Sequence, residues 1–133
     1  MKKLIIKGRL TDLNTYIKLC KQQKGAYSPA NDKKQEEQFL IRMYAKQQKI
    51  QPIKSYPVRF TFAWYDADER RDIDNVAFAK KFILDALQEA GILAKDSRKY
   101  VTGFQDKFYV DRTNPRVEVF IYQDINYLNE IKE

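Results

Sequence analysis

The chain has 133 residues, with 25 Lys or Arg against 18 Asp or Glu, for a formal net charge of +7. Its length fits one domain spanning residues 1–133, and a hydrophobic fraction of 44% argues against disorder. With no histidine and one cysteine, the chain has no histidine general base, no histidine-ligated zinc and no internal disulfide. No apolar stretch approaches the roughly 18 residues of a membrane span, so we expect a cytoplasmic protein with no membrane partner. The basic excess favours nucleic acid as a partner.

The first part of the chain predicts a strand and a helix. Residues 2–8 alternate weakly between apolar and polar types and predict a short strand. Asp12 is a suitable cap for a helix that runs to about Gln23, with apolar residues at spacings of three and four. Cys20 falls on that apolar side, so we expect it to pack in the core.

A second helix and a strand follow a loop over residues 24–31. The helix is predicted over residues 32–49, with Phe39 and Met43 on its apolar side. The strand is predicted over residues 58–65, where apolar side chains alternate strictly. The side chains that share its apolar face are Val58, Phe60, Phe62 and Trp64.

The second half predicts one long helix and two more strands. The helix covers residues 75–90 and ends at Gly91, which is typical of a helix terminus. Residues 101–110 and 116–122 predict strands, joined as a hairpin by the loop between them. The apolar positions expected to form the core stripe of the helix are Val76, Ala79, Ile83, Ala86, Leu87 and Ala90.

These elements predict an α+β fold of two layers. Its order is β-α-α-β-α-β-β, with a mixed sheet of about four strands and helices packed on one face. Asp124 is a candidate cap for a short terminal helix through Leu128 and Ile131.

The segment Arg71-Asp72-Ile73-Asp74-Asn75 carries the main chemical signal, because two carboxylates stand two residues apart where a strand leads into a helix. In an extended segment, residues i and i+2 point to the same side, so Asp72 and Asp74 are expected to face one volume. Like charges at that distance raise each other's pKa unless a cation lies between them. A hard divalent ion such as Mg²⁺ suits this arrangement, since it binds oxygen ligands together with waters and phosphates.

A lysine is predicted beside this pair. On an unbroken helix, Lys81 returns to nearly the azimuth of Asp74, whereas Lys80 is rotated away. Helical side chains lean toward the N-terminus, so Lys81 is expected to point back over the acids. The competing interpretation is an ordinary surface ion pair between Lys81 and Asp85.

Several motifs occur together in a fixed order. The series runs Asp-Ile-Asp-Asn over 72–75, Leu-Asp-Ala-Leu over 84–87, Ala-Gly-Ile-Leu over 90–93 and Asp-Ser at 96–97. This series resembles the RusA family of Holliday-junction resolvases, with its core at residues 70–97. A looser similarity covers Gly8 to Tyr16 and the strand-like segment from Asn114 to Val119.

The resemblance implies a homodimeric, Mg²⁺-dependent endodeoxyribonuclease, with Mn²⁺ as a substitute, that cuts four-way DNA junctions symmetrically in recombination and repair. Members often belong to phages or prophages. By motif position, Asp72, Asp74 and Asp96 would be the metal-binding and catalytic acids, and the catalytic lysine would be Lys81 or Lys80. In short members of the family, the lysine lies one helical turn after the Asp-Asn pair, where this chain has Phe78. This chain has about one additional helical turn between Asn75 and the Leu-Asp-Ala-Leu segment. The helical azimuth favours Lys81.

Basic side chains around the acids are expected to bind DNA phosphates. Four aromatic side chains could also stack on opened bases, with core packing as the competing interpretation for most of them: Tyr27, Tyr100, Phe104 and Tyr109. Two other functions stay open: a non-catalytic nucleic-acid-binding module, and a metal-dependent phosphohydrolase acting on nucleotides. The candidate DNA-binding residues are Arg70, Arg71, Lys80, Lys95, Arg98, Lys99, Lys107 and Arg112.

Overall fold

The computed structural model describes residues 1–125, which form a four-stranded sheet and a set of helices. The predicted α+β class and element order are confirmed. The predicted helix beyond Asp124 falls mainly on residues 126–133, which lie outside the described part. The elements are β1 (Lys2–Lys7), α1 (Leu13–Lys21), α2 (Pro29–Gln47), β2 (Val58–Asp66), α3 (Ile73–Ala77), α4 (Lys80–Glu89), β3 (Val101–Val110) and β4 (Arg116–Gln123).

The sheet has the order β1-β4-β2-β3, so β2 is a central strand. β2 pairs parallel with β3, in a register that sets Phe62 opposite Asp106, and antiparallel with β4, where Phe62 is opposite Val119. A parallel pair needs a crossover, and α3 with α4 provides it. The predicted hairpin between β3 and β4 is therefore wrong, because β2 lies between these two strands.

The core lies between the sheet and the helices. Phe60, Phe62 and Trp64 of β2 are buried on one face, as predicted, and pack with buried residues of α4 such as Phe82 and Ile83. The core stripe predicted for the helix over residues 75–90 is also buried, except for Ala90. The other face of the sheet carries no helix within residues 1–125.

Two predictions about buried side chains were wrong. Cys20 is exposed, because α1 is a surface helix with no buried residue. On α2, Phe39 and Met43 are 58% and 48% exposed, and the helix instead buries Ala30, Glu37, Gln38, Ile41 and Ala45. That helix begins earlier than predicted, because Ser28 caps it and Pro29 occupies its first turn, a pair well suited to a helix start.

The predicted helix over 75–90 is interrupted. It begins at Ile73, breaks at Phe78 and Ala79, and resumes at Lys80. The amides of Ala79 and Lys81 bond to carbonyls three residues back rather than four, which tightens the turn. The azimuth expected for Lys81 on an unbroken helix therefore does not apply. No helix in residues 1–125 is long and apolar enough to cross a membrane.

Candidate active site

A partly buried arginine fixes the loop that carries the acidic pair. Arg71 lies between two carboxylates: it donates through Nε to Asp66 at 3.1 Å and through Nη1 to Asp12 at 3.4 Å. It also donates to the carbonyl of Leu10 at 3.3 Å, and its side chain is 13% exposed. Arg71 therefore ties the β2–α3 loop to the β1–α1 loop. Its donors are occupied by protein, so we leave it out of the proposed DNA surface.

A second tether joins α3 to α1. The Asn75 side-chain oxygen accepts a hydrogen bond of 2.9 Å from the backbone N–H of Asn14. The next donor, the N–H of Thr15, bonds to the capping carboxylate of Asp12 at 2.8 Å. Two N–H groups that the first turn of α1 leaves free are thus satisfied. Asn75, which follows the two acids directly, is held in place by this contact.

Asp12 is stabilised in its charged form. Burial by itself raises the pKa of Asp12, but the hydrogen bonds from Thr15 and the neighbouring Arg71 guanidinium outweigh it, so that the pKa lies below its ordinary value. The charge on Asp12 is therefore part of the tether at neutral pH.

Asp72 and Asp74 lie at the start of α3, and both are exposed. Asp72 is the capping residue, in extended conformation, and Asp74 already lies in the first turn, where its Oδ1 accepts from the N–H of Asn75 at 2.9 Å. The helix starts two residues earlier than predicted, so the argument from an extended i, i+2 pair does not hold. Within residues 1–125, neither acid forms an ion pair with a lysine or arginine.

The candidate lysine meets the third candidate acid. Lys81 Nζ lies 3.2 Å from Asp96 and 3.1 Å from Asp85, so the ion pair with Asp85 also forms. The hydrogen bond that Lys81 donates to Asp85 raises the pKa of Lys81; partial burial opposes this, and the hydrogen bond to Asp96 adds to it. Lys81 is therefore a firmly charged ammonium, with a side chain 58% exposed. Its Nζ contacts these two acids rather than the acidic pair at 72 and 74.

Lys80 has a different environment. Its Nζ lies 2.7 Å from Asp106 and faces the ring of Phe104 at 4.7 Å from the centroid. The other oxygen of Asp106 accepts a 2.9 Å hydrogen bond from the indole N–H of Trp64. Lys80 is 18% exposed and joins α4 to β3, so a structural role accounts for it. Of the two candidates, Lys81 is the one that contacts a predicted catalytic acid.

The positions of the carboxylates show whether three of them could share a metal ion. Among residues 1–125, no group of three or more Asp, Glu, Cys or His side chains lies close enough together to hold a metal ion. Asp72, Asp74 and Asp96 therefore do not form the three-carboxylate set that we expected. Mg²⁺ commonly uses one or two protein carboxylates and fills its other positions with waters and phosphates. Two carboxylates are enough for such a site, and Asp72 and Asp74 are both exposed and form no ion pair in the described chain.

The candidate DNA-binding residues divide into exposed and engaged groups. Arg70 has a side chain 89% exposed and a long ion pair of 3.8 Å with Asp68, whereas Arg71 and Lys80 are engaged in the closer contacts described above. Lys107 lies on β3 and Arg112 on the β3–β4 loop. Three residues lie beside Asp96 in the loop between α4 and β3, all exposed: Lys95, Arg98 and Lys99.

The candidate catalytic side chains lie on an open surface. A cleft of about 320 Å³ beside the β2–α3 loop is lined by Asp68, Glu69, Ile73 and Tyr109 among others. None of the four candidate catalytic residues lines it. An open site suits a large substrate such as DNA better than a free nucleotide, since small ligands bind mostly in enclosed pockets.

Sequence reasoning missed the partners of these residues. The roles of Asp12 and Asp66 around Arg71 depend on contacts between distant loops, which no local pattern reveals. The sequence gives a weak indication for Asp106, which is an acid on the apolar face of a predicted strand. Such a carboxylate needs a hydrogen-bond donor inside the protein, and the Trp64 indole N–H is that donor. The chain matches no known family model, and no curated protein matches it.

Proposed function

We propose that this chain is a Mg²⁺-dependent endodeoxyribonuclease of the RusA type, which cuts branched DNA as a homodimer. The observation that carries the proposal is the contact between Lys81 and Asp96, two residues that the resemblance assigns to one catalytic set. The acidic pair is compatible with it, since Asp72 and Asp74 are both exposed and form no ion pair with a lysine or arginine in residues 1–125. The net charge of +7 is consistent with a polyanionic substrate.

In the proposed reaction, water adds to the scissile phosphorus and the bond to the leaving nucleotide oxygen breaks, with a proton passing to that oxygen. Asp72 and Asp74 would hold a magnesium ion, which supplies Lewis-acid polarisation of the phosphate. Lys81 stabilises the negative charge that develops on the phosphate oxygens, because its raised pKa keeps it protonated. Asp96 orients Lys81, and the Arg71 and Asn75 tethers keep the acids fixed while DNA binds.

Phosphate contacts would come from the exposed cations around this site. Arg70 precedes the acids, and Lys95, Arg98 and Lys99 flank Asp96. Such contacts fix the register of DNA without reading its sequence. They would favour a branched substrate if each protomer of the dimer bound a different arm of the DNA junction through this surface.

Paired cuts require two sites related by a two-fold axis. An exposed apolar patch on α2, formed by Phe39, Leu40 and Met43, offers a surface for that contact. If it is the dimer interface, Phe39→Glu will give a monomer by sedimentation. That monomer will nick junctions singly and will no longer make paired cuts.

The deciding experiment compares labelled four-way junction, flap and linear duplex with Mg²⁺, Mn²⁺ or EDTA. We expect symmetric, metal-dependent cuts in the junction, abolished in Asp72→Asn and Asp74→Asn with junction binding retained. Asp68→Asn is the matched control, because Asp68 is an acid of the same loop outside the proposed set. Tight junction binding without metal-dependent cleavage would instead establish the non-catalytic binding module.

A further inference from the structure

The sheet face that carries no described helix is chemically distinctive. Side chains alternate along each strand, so the residues that do not face the core share this outer face. On β2 these include Arg59, Thr61 and Ala63, and the pairing registers set Lys107 of β3 beside Ala63. We name this surface the outer sheet face.

A groove of about 350 Å³ runs across the outer sheet face. Its floor is low because Thr61 and Ala63 are small, and aromatic rings form its sides. Those rings are Tyr65, Tyr109, Phe120 and Tyr122. An aromatic-walled groove of this kind exposes flat apolar surface rather than a deep pocket.

The rings are held in place by neighbouring groups. Tyr65 and Tyr109 stack with centroids 4.8 Å apart and planes 22° apart, and the Arg116 guanidinium covers Tyr65 at 3.8 Å from its centroid. The hydroxyl of Tyr122 bonds to that of Thr61 at 2.7 Å. Tyr109 is 44% exposed, so one ring of the stack is open to a ligand. Rings already fixed lose little freedom when another ring stacks on them.

The charge of the face is positive. Among the outward positions of the four described strands, Glu118 is the one carboxylate, and Lys3 and Arg116 both pair with it. Burial raises the pKa of Glu118, but the hydrogen bonds from Arg116 and Lys3 outweigh this and keep it ionised. Arg59 and Lys107 of this face form no ion pair within residues 1–125, so both can contact an anionic ligand.

We infer that the outer sheet face binds single-stranded DNA, with bases stacked on Tyr109 and its neighbours and phosphates held by Lys107 and Arg59. Aromatic rings interleaved with unpaired cations are the combination that binds single strands, since every base has a face to stack. A duplex hides its base faces. A second copy of the chain would bring the same cations together across a two-fold axis, which is unfavourable. The choice of DNA over RNA rests on the proposed function.

Binding can be measured separately from cleavage. Fluorescence anisotropy in EDTA, with a labelled oligothymidylate of about 15 nucleotides, reports affinity without any metal-dependent step. We expect Tyr109→Ala to weaken binding by about five- to hundred-fold, the loss expected for one stacked base. Lys107→Ala is expected to weaken binding and to reduce its salt dependence.

Matched controls come from the helical side of the chain. Tyr27→Ala removes a similarly exposed ring just before α2, and Lys46→Ala removes an exposed lysine of α2; neither should change the affinity. Circular dichroism establishes that each variant is folded. Folded Tyr109→Ala and Lys107→Ala proteins with parental affinity would overturn the proposal.

Three further outcomes are decisive. If the Tyr109 and Lys107 variants change sedimentation from dimer to monomer but leave affinity unchanged, the face is an interface between copies and the proposal fails. Tighter binding to oligouridylate overturns the assignment to DNA. Retained oligothymidylate binding in Asp72→Asn supports the proposal whether or not the parent cleaves junctions, so the two proposals fail separately.

Discussion

Lys81 and Asp96, 15 residues apart in the sequence, meet with 3.2 Å between the ammonium nitrogen and a carboxylate oxygen. The contact joins the start of α4 to the loop that follows it. It brings together two of the four side chains that the family resemblance assigns to catalysis. The same ammonium also contacts Asp85, so Lys81 is fixed from two sides while more than half of its side chain stays exposed.

Removing the ammonium at this point tests its role in the reaction. We expect Lys81→Met to lower kcat for junction cleavage by about 10²–10³-fold with little change in junction affinity, because the lost charge acts on the transition state. Single-turnover cleavage reports the rate of the chemical step, and junction binding measured in Ca²⁺ reports the affinity, so the two effects are separated. Lys81→Arg should restore part of the rate.

The neighbouring lysine is the control. Lys80→Met is expected to keep cleavage within a few-fold of the parent and to lower the unfolding free energy, since it leaves the Asp106 carboxylate without its cation. Equal cleavage rates in Lys81→Met and the parent would remove Lys81 from the mechanism. A large loss of kcat in a stably folded Lys80→Met would transfer the role to Lys80.

Much of the fold was predictable because it depends on local patterns. The alternation in β2 and the Asp12 cap are short-range signals, and both are confirmed. The order of strands is a long-range property, which is why the β3–β4 hairpin was wrong. The core face of α2 was misassigned because that helix buries the polar Glu37 and Gln38 and exposes Phe39, against the usual preference.

The site was only partly predictable. The resemblance pointed to Lys81 and Asp96, and the geometry brings these two together. The expected contact of Lys81 with Asp74 depended on an unbroken helix, and the break at Phe78 and Ala79 removed its basis. The tether through Arg71 joins residues about 60 positions apart in the chain, so no spacing rule could have found it.

The Arg71 tether is expected to contribute strongly to stability. Arg71→Ala leaves the carboxylates of Asp66 and Asp12 partly buried without their main cation, so we expect the unfolding free energy to fall by about 3 kcal/mol. Urea denaturation followed by circular dichroism measures the change. Arg70→Ala is the matched control, since that side chain is 89% exposed and should change stability by less than about 0.5 kcal/mol. A similar small effect for Arg71→Ala would show that the contact is not a tether.

A buried glutamine on α2 predicts a stabilising substitution. Gln38 is 1% exposed, and neither its amide nitrogen nor its amide oxygen has a hydrogen-bond partner within the described chain. Such unpaired groups cost about 1–3 kcal/mol, so Gln38→Met, which keeps a similar shape, is expected to raise the unfolding free energy by about 1 kcal/mol. Gln35→Met, at an exposed position of the same helix, should have little effect. A destabilised Gln38→Met would indicate that the amide is satisfied in solution.

Acid should weaken the tether through Asp12. Its pKa is lower in the folded chain than its ordinary value near 4, so its contribution to stability is fully present above about pH 4 and is lost as the pH falls through the depressed folded value. Asp12→Asn keeps a capping side chain but removes the charge. We expect it to be less stable than the parent by about 1 kcal/mol at pH 7, with the difference shrinking below about pH 4. Urea denaturation of both proteins from pH 7 to about pH 3 gives the two curves. A difference that stays constant across this range would mean that the lost stability comes from capping geometry rather than from the charge facing Arg71.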